Sequence, residues 1–205
     1  MSSLLENQGE SMASSKTYTV KFRRRREGKT NYLKRLALLK SAKARFVVRK
    51  SNNRILVQVI AFDSKGDTVI ASATSHELQG FGWKVPHANV PCAYLTGLLA
   101  GMKAKEKVKE AILDIGMASP VHGSAFFAAA KGCVDAGIAL PLDESAVPKA
   151  DRMNGKHIQE YAASLDSEKF QKLFSLYLAK DFDPRHMVQA FEEAKKKILQ
   201  ARVVS

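Results

Sequence analysis

The spacing of apolar residues changes several times along the chain, and each change marks an element. Residues 1–17 are Ser-rich and show no periodicity, which predicts a disordered tail. Residues 18–28 are basic and end at Gly28, which predicts an extended arm. Over residues 31–40 the leucines Leu33, Leu36 and Leu39 recur at helical spacing with basic residues between them. That pattern predicts a short helix whose leucine stripe docks while Lys34, Arg35 and Lys40 point outward.

A strand-like pattern follows. Residues 45–50 frame an apolar triplet with basic residues, residues 54–62 are rich in Ile and Val, and Ser51-Asn52-Asn53 separate the two runs. This predicts a β-hairpin with turn residues suited to positive φ. Arg45, Arg49, Lys50 and Arg54 would then extend the arm's positive surface onto the sheet edge. A turn over 63–67 and a β-prone run over 68–74 complete an antiparallel meander. Residues 93–109 predict a long helix, buried in its apolar first half and exposed in its Lys-rich second half, with Gly97 and Gly101 spaced for close packing. A short apolar strand over 111–116 precedes a helix capped by Ser124 and stopped by Gly137. Strand, helix, strand, helix in that order requires a crossover connection and hence a parallel strand pair. Residues 151–165, 169–180 and 184–199 are helix-like, with little β signal.

The fold class expected is therefore α/β with α+β character: a mixed β-sheet containing an antiparallel meander and a crossover helix, preceded by a basic arm and followed by a helical C-terminal extension. The divisions expected are a tail over 1–17, an arm and short helix over 18–44, an α/β core over 45–140 and the extension over 141–205. A chain of 205 residues, 45% apolar, suits one domain with appendages. No stretch approaches the roughly eighteen consecutive apolar residues of a membrane span. The acidic, polar N-terminus has no secretory pattern, so a soluble cytoplasmic protein without a membrane partner is expected. Cys92 and Cys133 lie on apolar helical segments and are expected to be buried, reduced thiols.

Charge changes the picture once it is located. Residues 16–54 hold 15 Lys/Arg against one acid, Glu27, whereas residues 55–205 nearly balance. A near-neutral body with one cationic arm gains most by lying against a polyanion, where neutralised phosphates release condensed counterions. The run Arg23 to Arg26 offers guanidinium forks that match phosphate oxygens, and the flanking Phe22 and Tyr32 suit stacking on unpaired bases. Repulsion among these cations predicts that residues 18–35 become ordered only on RNA.

Catalytic chemistry has little support. His76, His87, His122, His157 and His186 show no metal-ligand spacing, so neither a metal site nor a cofactor is expected. Pro120-Val121-His122-Gly123-Ser124 is neither a serine nucleophile elbow nor a phosphate-cradling P-loop, although N–H groups at a helix start can bind one backbone phosphate. A metal-dependent RNA-processing nuclease would draw on Asp63, Asp114 and Asp135, but these form no clustered motif. Asp114 beside Gly116 reads better as a strand-end cap or ion-pair partner. A generic basic module for DNA lacks helix-turn-helix or zinc-finger spacing.

Several blocks together carry a resemblance. Phe22-Arg23-Arg24-Arg25-Arg26-Glu27-Gly28-Lys29-Thr30, Arg45-Phe46-Val47-Val48-Arg49-Lys50-Ser51-Asn52 and Ala93-Tyr94-Leu95-Thr96-Gly97-Leu98-Leu99-Ala100-Gly101 stand in register with Leu113-Asp114-Ile115-Gly116 and His157-Ile158-Gln159-Glu160-Tyr161. They closely resemble the archaeal form of large-subunit ribosomal protein eighteen, whose eukaryotic counterpart is large-subunit protein five. The resemblance implies a non-enzymatic protein that holds 5S rRNA in the central protuberance. It also implies contact with 23S-type rRNA and with neighbouring ribosomal proteins, including the other 5S-binding protein. It further implies that Arg23, Arg24, Arg25, Arg26, Lys29, Thr30 and Tyr32 thread between RNA elements. Arg45, Arg49, Lys50, Ser51, Asn52 and Arg54 resemble the hairpin that grips 5S rRNA, with Asn53 in the same turn. Phe22, Lys34, Arg35 and Lys40 join this RNA-binding set, and Gly123 with Ser124 matches a Gly-Ser step in the family.

Overall fold

The computed structural model describes residues 17, 19–86 and 88–201. The tail expected over 1–17 lies outside the described residues except for Thr17, as does His87. Among the described residues four strands, β1 Ala44–Lys50, β2 Ile55–Ala61, β3 Thr68–Thr74 and β4 Ala111–Asp114, form one sheet in the order β3-β2-β1-β4. The first three make the expected antiparallel meander, and β4 lies parallel to β1. The crossover from β3 to β4 is helix α3, Val90–Ala104, which follows α1 Arg23–Arg26 and α2 Tyr32–Leu39 of the arm.

Alternation along the strands decides which face meets the helices. Phe46 and Val48 of β1, Ile55, Val57 and Val59 of β2, and Ala71 and Ala73 of β3 join one core with Leu95, Leu98 and Leu99 of α3. The first turns of α3 are buried on all sides, as their uniform apolarity predicts, and the helix ends at Ala104, short of the expected Lys109. Helix α4, Ala125–Asp135, packs so closely on α3 that a Cβ on Gly97 would meet the Ala129 backbone. One on Gly132 would meet the Tyr94 carbonyl. Missing side chains on both helices let the two backbones approach.

The C-terminal segment is more broken than its periodicity predicts. Residues 151–165 divide into α5 Ala150–Met153 and α6 Lys156–Ser164, because Gly155 adopts φ +83° beneath the Met187 side chain. The second segment divides at Phe174 into α7 Ser167–Leu173 and α8 Ser175–Leu178. Helix α9, Met187–Gln200, places Met187, Phe191, Ala194 and Ile198 in the main core. Cys92 and Cys133 are buried free thiols, as expected. Among the described residues no helix is long and apolar enough to cross a membrane.

Candidate nucleic-acid interface

The sheet's other face is where the charge collects. Arg45, Val47 and Arg49 alternate with the core-facing Phe46 and Val48 of β1, and Val47 is paired with Asp114 of the parallel strand β4. That pairing sets one carboxylate between two guanidiniums. Arg45 Nη1 donates to Asp114 Oδ2 at 3.0 Å, and Arg49 Nη2 donates to Asp114 Oδ1 at 3.0 Å. Arg49 Nη1 also donates to the Asp114 carbonyl at 2.7 Å. Gly116, at φ +67°, gives its N–H to Asp114 Oδ1 at 2.8 Å, and a Cβ there would strike the Arg49 guanidinium. Asp114 is thus the ion-pair partner its sequence position indicates. Burial pushes its carboxyl up, but the Arg49 charge, the Gly116 N–H and the guanidinium hydrogen bonds outweigh this and hold it below the ordinary aspartate value.

The network continues to the arm. Arg45 Nη2 donates to Asp67 Oδ2 at 2.6 Å, and Arg35 Nη2 donates to Asp67 Oδ1 at 3.0 Å and Oδ2 at 2.8 Å. Arg35, Asp67, Arg45, Asp114 and Arg49 therefore form a row of alternating charge running from α2, Tyr32–Leu39, through the β2–β3 turn to β1 and β4. Partial burial pushes the Asp67 carboxyl up as well, and its Arg35 and Arg45 partners reverse that, leaving it lowered.

Several expectations are corrected here. Arg45, assigned to the RNA-facing surface, is 3% exposed and spends both terminal nitrogens on Asp67 and Asp114. At Arg45 the strand is flanked by both β2 and β4, so this residue does not lie on a sheet edge, whereas Arg49 and Lys50 lie past the end of the β4 pairing. Arg35 points inward to Asp67 instead of outward, while Leu33 is 70% and Leu36 54% exposed, so the leucine stripe does not dock. The arm is not extended throughout: Arg23–Arg26 form one helical turn, α1, in which the N–H groups of Arg25 and Arg26 donate to the Phe22 carbonyl. Asn31 caps α2 through its side chain, which accepts from the N–H groups of Leu33 and Lys34.

All four guanidiniums of α1 are exposed, and Arg24 Nε donates to Thr30 Oγ1 at 2.9 Å. Phe22 and Tyr32 lie against each other with ring centroids 5.2 Å apart, and Phe22 remains largely exposed. Between arm and sheet opens a cleft of about 760 Å³. Arg24, Lys29, Lys34, Arg35, Arg45 and Arg49 line it against only two carboxylates, Asp67 and Asp114. Thr30, Asn31, Tyr32, Gly116 and Pro120, with the apolar Ala37, Leu38, Leu113 and Ile115, complete its walls, so the structure gathers residues that the sequence scatters from 24 to 120.

Beyond Arg49, the hairpin tip exposes Lys50, Ser51, Asn52, Asn53 and Arg54. Neither asparagine takes the positive φ expected of it. The Ser51 hydroxyl closes the loop instead, accepting from the Arg54 N–H and donating to the Arg54 carbonyl, both at 3.1 Å. Lys40 is exposed just past α2. Ser124 occupies the position before α4, but its hydroxyl makes no cap bond. The Gly123 N–H donates to the Ala146 carbonyl and the Ser124 N–H to the Val121 carbonyl, so neither donor is free for a phosphate. The nuclease carboxylates are dispersed among other partners: Asp114 lies with its arginines, and Asp135 accepts from Tyr94 and pairs with Lys131. Sequence reasoning missed Asp67. The signal was Arg45 itself, a cation at an alternate position of an otherwise interior strand, which demands a carboxylate from elsewhere.

Residues 16–111 match the family described as ribosomal large subunit proteins 60S L5 and 50S L18. The chain is also 51% identical over 189 residues to large ribosomal subunit protein uL18 of the archaeon Korarchaeum cryptofilum, an alignment covering 91% of this chain and 97% of that protein. A near-neutral mixed sheet with a cationic arm and cleft thus coincides with an alignment along almost the whole length, and the chain belongs to the archaeal-type L18 and L5 family of large-subunit ribosomal proteins.

Proposed function

We propose that this structural protein of the large subunit binds 5S rRNA and anchors it in the central protuberance, while contacting 23S-type rRNA and neighbouring proteins, including the other 5S-binding protein. The observation that carries the reading is the cleft, where six basic side chains face two carboxylates beside an exposed tetra-arginine turn. Arg23, Arg24, Arg25, Arg26, Lys29, Lys34, Lys40, Arg49, Lys50 and Arg54 are assigned to phosphates, and Thr30, Ser51, Asn52 and Asn53 to sugar or base edges. Phe22 and Tyr32 are assigned to stacking on an unpaired base. Arg35 and Arg45 support these groups through their carboxylates. No step of this role requires covalent chemistry.

The test is binding of a 5S rRNA transcript across a salt series. If roughly six to ten phosphates are neutralised, affinity falls by about three to five powers of ten between about 50 and 200 mM monovalent salt. Replacing Arg23 to Arg26 by alanine lowers that slope and leaves thermal unfolding of the body nearly unchanged. A flat salt profile in the unaltered protein overturns the reading. Cross-linking to RNA should concentrate on residues 18–54, and an even spread over the chain would reduce the interface to generic basicity.

A further inference from the structure

The apolar side of α2 is only partly covered: Leu38 and Leu39 are half-buried, and Ala37 and Leu38 line the cleft together with Leu113 and Ile115. The helix has no buried residue, and two of its four leucines, Leu33 and Leu36, face outward. Its surroundings are cationic, with no acid in its first turn and Glu27 as the sole acid between residues 16 and 54. The ion pair that joins it to the body is the bidentate one from Arg35 to Asp67, and Asp67 is itself fixed because the buried Arg45 grips the same carboxylate. By charge alone, a carboxylate at the rim of an anion-binding cleft weakens binding.

We propose that Asp67 is a positioning residue for RNA binding: through Arg35 it clamps α2 to the sheet, so that the arm's cations meet the RNA already arranged around the cleft. The inference rests on the reading that arm and cleft bind RNA. Its consequence runs against simple electrostatics. A clamped arm loses less conformational freedom on binding than a free one, so removing the negative charge of Asp67 weakens the complex instead of tightening it.

The experiment compares the full chain with Asp67→Asn, Asp67→Glu, Arg35→Gln and the Arg35→Gln/Asp67→Asn double variant. Affinity for a 5S rRNA transcript and amide hydrogen exchange of the free proteins are measured together. Asp67→Asn should weaken binding about fivefold, the scale of one partly exposed ion pair, with the salt slope unchanged. Exchange protection should fall in residues 32–39 and persist in the strands. Asp67→Glu should retain most of the affinity, and in the Arg35→Gln background Asp67→Asn should add no further loss.

Equal or tighter binding by Asp67→Asn overturns the proposal, as does an undiminished loss in the Arg35→Gln background. Should Asp67→Asn also loosen the strands, Arg35→Gln alone decides, because it leaves the Arg45 pair in place. Loss of α2 protection in that variant supports the clamp, and retained protection refutes it. Failure of the underlying reading looks different: the Arg23 to Arg26 alanine variant would then bind RNA as well as the unaltered protein, whatever α2 does.

Discussion

Arg45 and Asp114, 69 positions apart in sequence, meet across parallel strands with Nη1 and Oδ2 3.0 Å apart, and both are almost wholly buried. A buried guanidinium is tolerable only where carboxylates answer it, so this pair ties the charge row to the stability of the sheet.

Removing one partner leaves the other charged and desolvated. Asp114→Ala should destabilise the protein by about 3 to 5 kcal/mol in urea unfolding. The Arg45→Met/Asp114→Leu double variant should recover a large part of that loss. A single-variant cost below about 1 kcal/mol would show that the pair is solvated in solution.

The same carboxylates set the response to acid. Asp114 and Asp67 are held below their ordinary 3.8, and Glu77, whose burial is outweighed by its bonds to Lys103 and Thr74, below its ordinary 4.5. The unfolded chain therefore takes up these protons first. The stability they contribute is complete above those ordinary values and is lost as pH falls through the lower folded-state values. Unfolding midpoints measured from about pH 6 to about pH 2 should fall steeply for the unaltered chain and less steeply for Asp114→Asn.

Contact between α3 and α4 leaves no room for a methyl group at Gly97. Gly97→Ala should cost about 1 to 3 kcal/mol despite alanine's better helix propensity, because the obstacle is the Ala129 backbone and not a side chain that can turn away. An alanine that stabilised the protein would mean that the helices separate readily.

Burial pushes the thiols of Cys92 and Cys133 up to about 12. Both should resist a thiol reagent at neutral pH in the native protein and react at the rate of unfolding. Rapid labelling of either without denaturant would place it at a surface.

Much of the architecture was legible in local pattern. The alternation in β1 and β2, the uniformly apolar start of α3 and the strand at 111–114 each reported their element, because burial on one face or on all faces writes itself into residue spacing. The leucines of α2 misled for the same reason. Their spacing correctly indicates a helix, but spacing does not state whether a partner surface exists, and Leu33 and Leu36 face outward. Asn52 and Asn53 misled because Ser51 could close the hairpin loop by a hydrogen bond that turn composition does not reveal.

The sequence by itself determined that one end of this chain is cationic and that the remainder folds as a near-neutral α/β body, since net charge and periodicity are sums over neighbours along the chain. Only the tertiary structure decided which cations remain available. Arg45, Arg49 and Arg35 read alike as basic letters, yet Arg45 is buried and doubly paired, Arg49 is half-exposed over Gly116, and Arg35 is held by Asp67. The physical reason is that an ion pair needs only a few ångströms in space, whatever the separation along the chain, and strand register together with the arm's placement set those distances.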